Sequence, residues 1–470
     1  MGAPFSFRMR SFRGLRRVRF RSMAKTEADV QVTAVPHAAS GTFSPVYRGY
    51  VLAVLFLAYV VNVMDRGVLA LLLEGIRHEF TLTDRELGFL SGLPFALFYS
   101  TLGIPIAALA DRSVRRNVLA ACCALWSAAT AACGMAFNFS SLVGARALTA
   151  VGEAGGTPPS HSLISDYFPR ATRATALSIY ALGVPLGTMM GNLLGGWGND
   201  LVGWRMSFIL VGVPGVLISL LVWATVREPP RGLSEVSVAK STSAPPLWSV
   251  VKFLGSYASF RHMCLAAGLH SVVWYAGSQL NAVFFQRAHG MSSSEAGSWL
   301  AMFALIGAVG TLLGGVLADK ISAAKNDRRW YMWVPGIATL VMVPFQFTSY
   351  LSDNLHVVIA SFCVMIPLAS MFFGPSFAVS QSLATLRTRA VATSLLLFVQ
   401  TFVGLGLGPY VAGVISEYLK PTLGLHESMR YGLMLVGLVN LWAAAHYFIG
   451  ARTIRQNWAE TEALNRAQSV

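Results

Sequence analysis

Apolar runs of about twenty residues follow one another along this chain, and that feature restricts its fold more than any other. Such a run, wound as a helix, rises about 30 Å, the thickness of a bilayer's hydrocarbon core, where each backbone amide must be satisfied within its own segment. Roughly twelve runs can be drawn, at 49–73, 87–110, 117–137, 142–165, 174–197, 205–226, 263–286, 296–318, 331–349, 356–384, 391–416 and 429–450. The expected fold class is an all-α membrane protein with twelve transmembrane helices. With 54% hydrophobic residues, 12% charged residues and a mean hydropathy of +0.56, the chain falls outside the range of ordinary soluble domains.

A net charge of +15 raises the question of nucleic acid, and the placement of the 36 Lys and Arg residues answers it. Twenty-eight fall in the termini and the even-numbered connections, six in the odd-numbered ones, and Arg66 and Arg146 lie inside spans. That asymmetry is the positive-inside pattern. It predicts an integral multi-pass protein of the plasma membrane, or the inner membrane of a bacterium, with both termini cytoplasmic and no nucleic-acid partner. The five cysteines all lie in apolar spans without metal-ligand or disulfide spacing, so they read as helix filler. Residues 1–45 read as a basic disordered segment without a signal-peptide cleavage pattern, and translation could also start at Met23. No Walker loop, HExxH or nucleophile elbow occurs, so the chain is not expected to be an enzyme or to hold a metal or cofactor.

The longest break in hydropathy, REPPRGLSEVSVAKSTSAPPLWSV from Arg227, separates six spans from six. The domain expectation follows: a first six-helix bundle over 46–227, a cytoplasmic linker over 228–260, a second bundle over 261–451 and a tail over 452–470. Short repeats support duplication. Leu109-Ala-Asp111-Arg112 recurs as Leu317-Ala-Asp319-Lys320 at an offset of 208, and Arg173-Ala-Thr-Ala176 recurs as Arg389-Ala-Val-Ala392 at an offset of 216. Halves repeated in this way place a binding site between them near the membrane midplane. Small residues at helical spacing, Gly183, Gly187, Gly191, Gly195 and Gly196 in span five and Gly404, Gly406 and Gly408 in span eleven, predict close helix packing.

Ionisable side chains at mid-membrane depth cost a few kcal/mol or more, so those present should face a partner or a wet cavity. Asp65 and Arg66 lie in span one within a turn of Asn62, and Arg146 and Glu153 lie two turns apart in span four. Two acids and two bases in low dielectric can pair, and the proton affinity of such a carboxylate changes with its partner and its access to water. We expect Asp65 or Glu153 to take up a proton when its arginine is engaged by substrate; the competing reading is a static network joining two helices. The second half carries no central charge. Its polar candidates are His270, Asn281, Gln400, Thr401 and Asn440, set among aromatics that include Trp274, Tyr275, Phe372 and Phe373. A charged half facing an apolar half suits a substrate with a polar head and a greasy body. Asp111, alone among Arg112, Arg115 and Arg116 and repeated as Asp319, is expected to form a salt-bridged cytoplasmic gate.

The run LADRSVRR resembles the loop motif of the major facilitator superfamily, G-x-L-a-D-R-x-G-R-R, with Ala107 and Val114 where that motif has glycines. NVMDR in span one, the run GEAGGTPPSHSLISDYFPRATRATALSIYALGVPLG, and the later GWR and REP are similar to the spinster-type transporters of that superfamily. The resemblance extends over about residues 45–450 and is strongest in the first half. It implies two pseudo-symmetric six-helix bundles and a monomeric, proton-linked carrier of lysophospholipids or sphingolipids working by alternating access, the proton being the coupling ion. It assigns roles to Asp65, Arg66, Arg146 and Glu153, and it implies that Asp111 helps hold the cytoplasmic side closed against the N-terminal end of span eleven near Arg389. The N-x-x-D-R pattern also resembles organic-anion and sugar-acid symporters, which keeps that substrate class open. A transporter-shaped ligand sensor is a third reading, disfavoured by the lack of any further cytoplasmic domain.

Overall fold

A computed structural model of the chain describes residues 43–233, 247–385 and 388–467. Expectations for residues 1–42, for 234–246 of the linker, for Arg387 and for 468–470 lie outside these. Among the described residues the regular structure is helical throughout.

Twelve crossings follow in order. TM1 is Pro45–Phe80, TM3 Arg115–Cys133, TM7 Ala258–His289, TM8 Ser293–Lys325 and TM9 Trp330–Leu351. TM2 is built from Asp84–Ser91 and Leu93–Arg112, TM4 from Phe139–Ala154 and Thr157–Tyr167, and TM10 from Leu355–Ser370 and Phe373–Ser382. TM5 runs through Arg170–Ala181 and on over 183–202, and TM6 covers 204–225. TM11 runs from Arg389–Val399 through a π-helical turn, Gln400–Leu405, to 406–423, and TM12 follows over 425–437 and Val439–Ala451. At Gly203 and Gly424 the backbone adopts φ of 79° and 77°, a region open to glycine at little cost, so each long helix folds back into the next crossing there. The expected second-bundle start at 261 falls inside TM7. The expected linker contains the helix Leu247–Ser256, and the expected tail contains the helix Ile454–Ala467.

Glycines set the helix spacing as their pattern suggested. In the first half a Cβ at Gly187 or Gly191 would collide with the carbonyl oxygens of Val60 or Met64 on TM1; in the second, one at Gly408 would collide with that of Val272 on TM7. TM5 therefore lies against TM1 as TM11 lies against TM7, the packing of a duplicated unit.

The apolar cores show how the halves meet. Near the termini each half has its own cluster, Leu55, Leu119, Leu163 and Tyr167 in the first, Leu254, Met332, Val379 and Tyr447 in the second. Toward the opposite, distal end one cluster runs through both, joining Leu69, Leu87 and Phe208 to Leu280, Phe284 and Met429. Two glycine seams close that end: Gly88 and Gly413 bring TM2 onto TM11, and Gly196 and Gly297 bring TM5 onto TM8. Near the termini the later parts of TM4 and TM10 and the starts of TM5 and TM11 pack mainly within their own halves. The halves are joined distally and part toward the terminal end.

Candidate functional site

Where the halves part, TM1 and TM4 bring the four predicted charges of the first half together. Arg66 Nε donates to Glu153 Oε2 at 2.6 Å; the arginine side chain is 27% exposed and the glutamate side chain fully buried. Asp65 points about a third of a turn away, into the first half, where the Thr130 hydroxyl of TM3 donates to its Oδ2 at 2.9 Å. Arg146 is 2% exposed, and its Nε and Nη1 have no hydrogen-bond partner; neither do Asp65 Oδ1, Glu153 Oε1 and the Asn62 amide nitrogen. Leaving such groups unpaired is expensive, about 1–3 kcal/mol each and more for charges. A buried cluster whose members are half satisfied is therefore able to accept a proton, a water or an anionic group without first breaking a complete network.

Local sequence explains the placement. TM4 is interrupted at Gly155 and Gly156, just after Glu153 and just before Pro158 and Pro159. A side chain at Gly152 would strike the Trp126 backbone, and one at Gly155 the Cys122 sulfur, so these glycines let TM3 sit against TM4 at the height of Glu153. Phe95 and Tyr99, one turn apart on TM2, form a stacked pair under the guanidinium groups. Arg66 lies 5.0 Å from the Phe95 centroid and 4.8 Å from that of Tyr99, and Arg146 lies 5.3 Å from Phe95. Across the divide, Leu405 and Tyr275 of the second half pack on Phe95 and Ala96, making an apolar floor beside Arg66.

The second half contributes less than its polar residues suggested. His270 is 1% exposed; Nε2 meets the Ala369 carbonyl at 2.9 Å, Nδ1 meets the Thr339 hydroxyl at 3.2 Å, and the ring lies on Phe372. Asn281 accepts from the Tyr350 hydroxyl at 2.8 Å, and Asn440 donates to Gln346 at 3.1 Å. These three find their partners inside their own bundle, Asn440 Oδ1 alone being left without one, and they do not join the charged cluster. Gln400 differs: it opens the π-turn whose other end, Leu405, touches Phe95, and its buried amide nitrogen has no partner.

The predicted gate residues line the terminal end. Arg115, 1% exposed, pairs with Asp166 at 2.5 Å and Glu228 at 2.7 Å, and the Arg116 backbone N–H donates to Glu228 at 3.0 Å. These bonds tie TM3 to the end of TM4 and to the segment after TM6. Asp111 and Arg112 are exposed and make no ion pair among the described residues, while Asp319 accepts from the Tyr331 hydroxyl at 2.6 Å. Among the described residues no bond of the set crosses between halves. Thr130, Phe95 and Tyr99 were not singled out in the sequence as site residues, and Tyr275 was named only among the aromatics around the polar candidates; the i, i+4 spacing of Phe95 and Tyr99 is the one signal that could have marked that pair.

Comparison with known proteins agrees with this architecture. The family model for the Major Facilitator Superfamily matches residues 55–409. The chain is 28% identical over 408 residues to an MFS-type efflux pump of Mycolicibacterium smegmatis, covering 87% of this chain and 93% of that protein. It is 26% identical over 427 residues to the D-galactonate transporter of Escherichia coli, covering 84% and 94%. The crystal structure of a bacterial homolog to the human lysosomal transporter Spinster, in its inward-facing and unoccupied conformation, superimposes with a TM-score of 0.81 at 32% identity, covering 88% of this chain and 99% of that one.

Proposed function

This chain belongs to the major facilitator superfamily and is spinster-like, a transporter and not an enzyme, and from that premise we propose that it is a proton-coupled secondary transporter of amphiphilic lipids, of the lysophospholipid or sphingolipid type. The observation that carries the reading is the Arg66–Glu153 pair, buried on the acid side and partly open on the arginine side, at the point where the halves part. A proton taken by Glu153 removes the charge that holds Arg66. The guanidinium, still seated over Phe95 and Tyr99, then becomes available to an anionic headgroup. Asp65, next to Arg66 on TM1 and held by Thr130, provides a second buried carboxylate that could take the proton. The apolar second-half wall of Tyr275 and Leu405 suits an acyl chain.

With both termini cytoplasmic, as the Lys and Arg distribution argues, the parted end faces the cytoplasm and the conformation is inward-facing. The exposed Asp111 and the gate residues around it would then be poised to meet the second half when that end closes. A second reading, a sugar-acid or other organic-anion symporter, is favoured by the unpartnered buried Nε and Nη1 of Arg146, which with Arg66 could clamp one small carboxylate. Purified protein in proteoliposomes, offered lysophospholipids, sphingoid phosphates and sugar acids with and without a pH gradient, separates the two. We expect gradient-driven movement of a phosphate-bearing lipid, lost in Asp65→Asn and Glu153→Gln while gradient-independent exchange of substrate persists. Full gradient-driven activity in both variants would remove the proton-coupling proposal, and transport of sugar acids alone would select the second reading.

A further inference from the structure

The distal end, which the proposed mechanism leaves as a plain closed seam, carries a pattern of its own. TM2 and TM8 are the second helices of the two halves, and both begin there with a capping box. Thr83 and Glu86 close one, Ser292 and Glu295 the other, so in each helix the third backbone N–H is met by its own N-cap hydroxyl. The N–H groups before it need partners from elsewhere, and each helix finds them in the opposite half. Glu417, at the end of TM11, accepts from the Asp84 N–H at 2.9 Å. Asp200, at the end of TM5, accepts from the Ser293 and Ser294 N–H groups at 3.3 and 2.7 Å. TM5 and TM11 are the corresponding helices of the repeat. The arrangement is thus reciprocal: each half sends one carboxylate to the positive end of the other half's second helix.

Between the two caps lies Arg287 at the end of TM7, 7% exposed. It pairs with Glu74 of TM1 at 2.6 Å and with Asp84 of TM2 at 2.8 Å. Asp84 also accepts from Ser416 of TM11 at 2.6 Å, and Asn199 of TM5 donates to Ser293 of TM8 at 2.7 Å. Among the described residues, the ion pairs that cross between halves all involve Arg287. Every one of these bonds is made with groups that separate if the distal end opens.

We propose that Asp200, Glu417 and Arg287 form a distal latch, two reciprocal carboxylate-to-helix caps around one buried ion triad, that holds the transporter open to the terminal side. The proposal rests on the alternating-access reading given above. It assigns the latch to residues outside the Asp111 loop and outside the Arg66–Glu153 cluster. Breaking it should favour the state that is open distally.

The test uses the full chain, spin-labelled through genetically encoded residues so that the native cysteines remain. One pair of labels replaces exposed Met135 and His356 at the distal end, the other Asn117 and Ala324 at the terminal end. Distances are measured in the otherwise unaltered protein, in the isosteric Asp200→Asn/Glu417→Gln variant, in Arg287→Gln, and in a steric wedge, Gly297→Leu, whose side chain must push against Asn192 on TM5. Thermal melting confirms that each is folded. The latch requires that the first two variants raise the ratio of distally open to distally closed molecules about tenfold, with the terminal-end distance shortening in step. If the wedge opens the distal end while both latch variants leave the distances unchanged, the latch is refuted and alternating access stands. If even the wedge produces no exchange between the two ends, alternating access fails and the latch falls with it.

Discussion

At the scale of single residues, the first half works by giving adjacent positions opposite surroundings. Asp65 and Arg66 are neighbours in sequence, yet one is sealed against Thr130 and the other reaches the divide between the halves. Arg66 does two jobs there, donating through Nε to Glu153 while its guanidinium lies over the Phe95 and Tyr99 rings. A lysine has the charge and lacks the plane. We therefore expect Arg66→Lys to keep the protein folded and to reduce transport by about tenfold or more in the proteoliposome assay, where equality with the unaltered protein would mean that charge alone suffices. His270 makes the contrary point. A histidine in an apolar span looks functional, but both ring nitrogens are occupied by neighbours of its own bundle.

Elements are positioned by glycines and caps. A methyl group at Gly152 would meet the backbone of Trp126 on TM3, whereas one at Gly144, on the same helix, would meet nothing within 4 Å. We expect Gly152→Ala to lower the melting temperature, at a cost of about 1–3 kcal/mol, and to impair transport by displacing TM4 and Glu153; Gly144→Ala should change neither. A melting curve for each checks it. At the terminal end, Asp327 holds the C-terminal helix Ile454–Ala467: Arg455 Nε donates to it at 2.8 Å and Arg329 Nε at 2.9 Å. The Arg455 hydrogen bonds, then those of Arg329, hold this carboxyl well below the usual carboxylate range. Its folded value being depressed, the stabilisation is fully present above the unfolded value of about 4 and is lost as pH falls through the folded value. Hydrogen exchange of Ile454–Ala467 should accordingly be faster in Asp327→Asn than in the unaltered protein at pH 7, and the difference should shrink as the pH is taken below about 4.

For the whole molecule, the two halves have separate cores near the termini and share one core distally. In the proposed alternating-access mechanism, exchanging which end is open would break the distal seams. The proposed sidedness of the state rests on the distribution of Lys and Arg among the connections. A protease site added after Val470 should resist protease applied outside intact cells and be cut in inside-out vesicles; the reverse pattern would invert the assignment and turn the observed conformation into an outward-facing one.

The twelve crossings, the duplication and the charged cluster of the first half were all legible in the sequence, because each depends on properties local to a stretch of chain. Hydropathy decides what can lie in lipid, and helical spacing puts Asn62, Asp65 and Arg66, or Arg146 and Glu153, on shared stretches of one helix. The capping boxes at Thr83 and Ser292 were equally readable and mark the starts of TM2 and TM8. What no single stretch contains is the partner across a gap. That Arg66 pairs with Glu153, that Arg146 is left partly unpaired, that His270 is bonded within its own bundle, and that Asp200, Glu417 and Arg287 tie the halves together distally are matters of distance between helices. Those distances are set by glycine contacts and by the way the two bundles pack on each other, which no single stretch of chain encodes and only the tertiary structure decides.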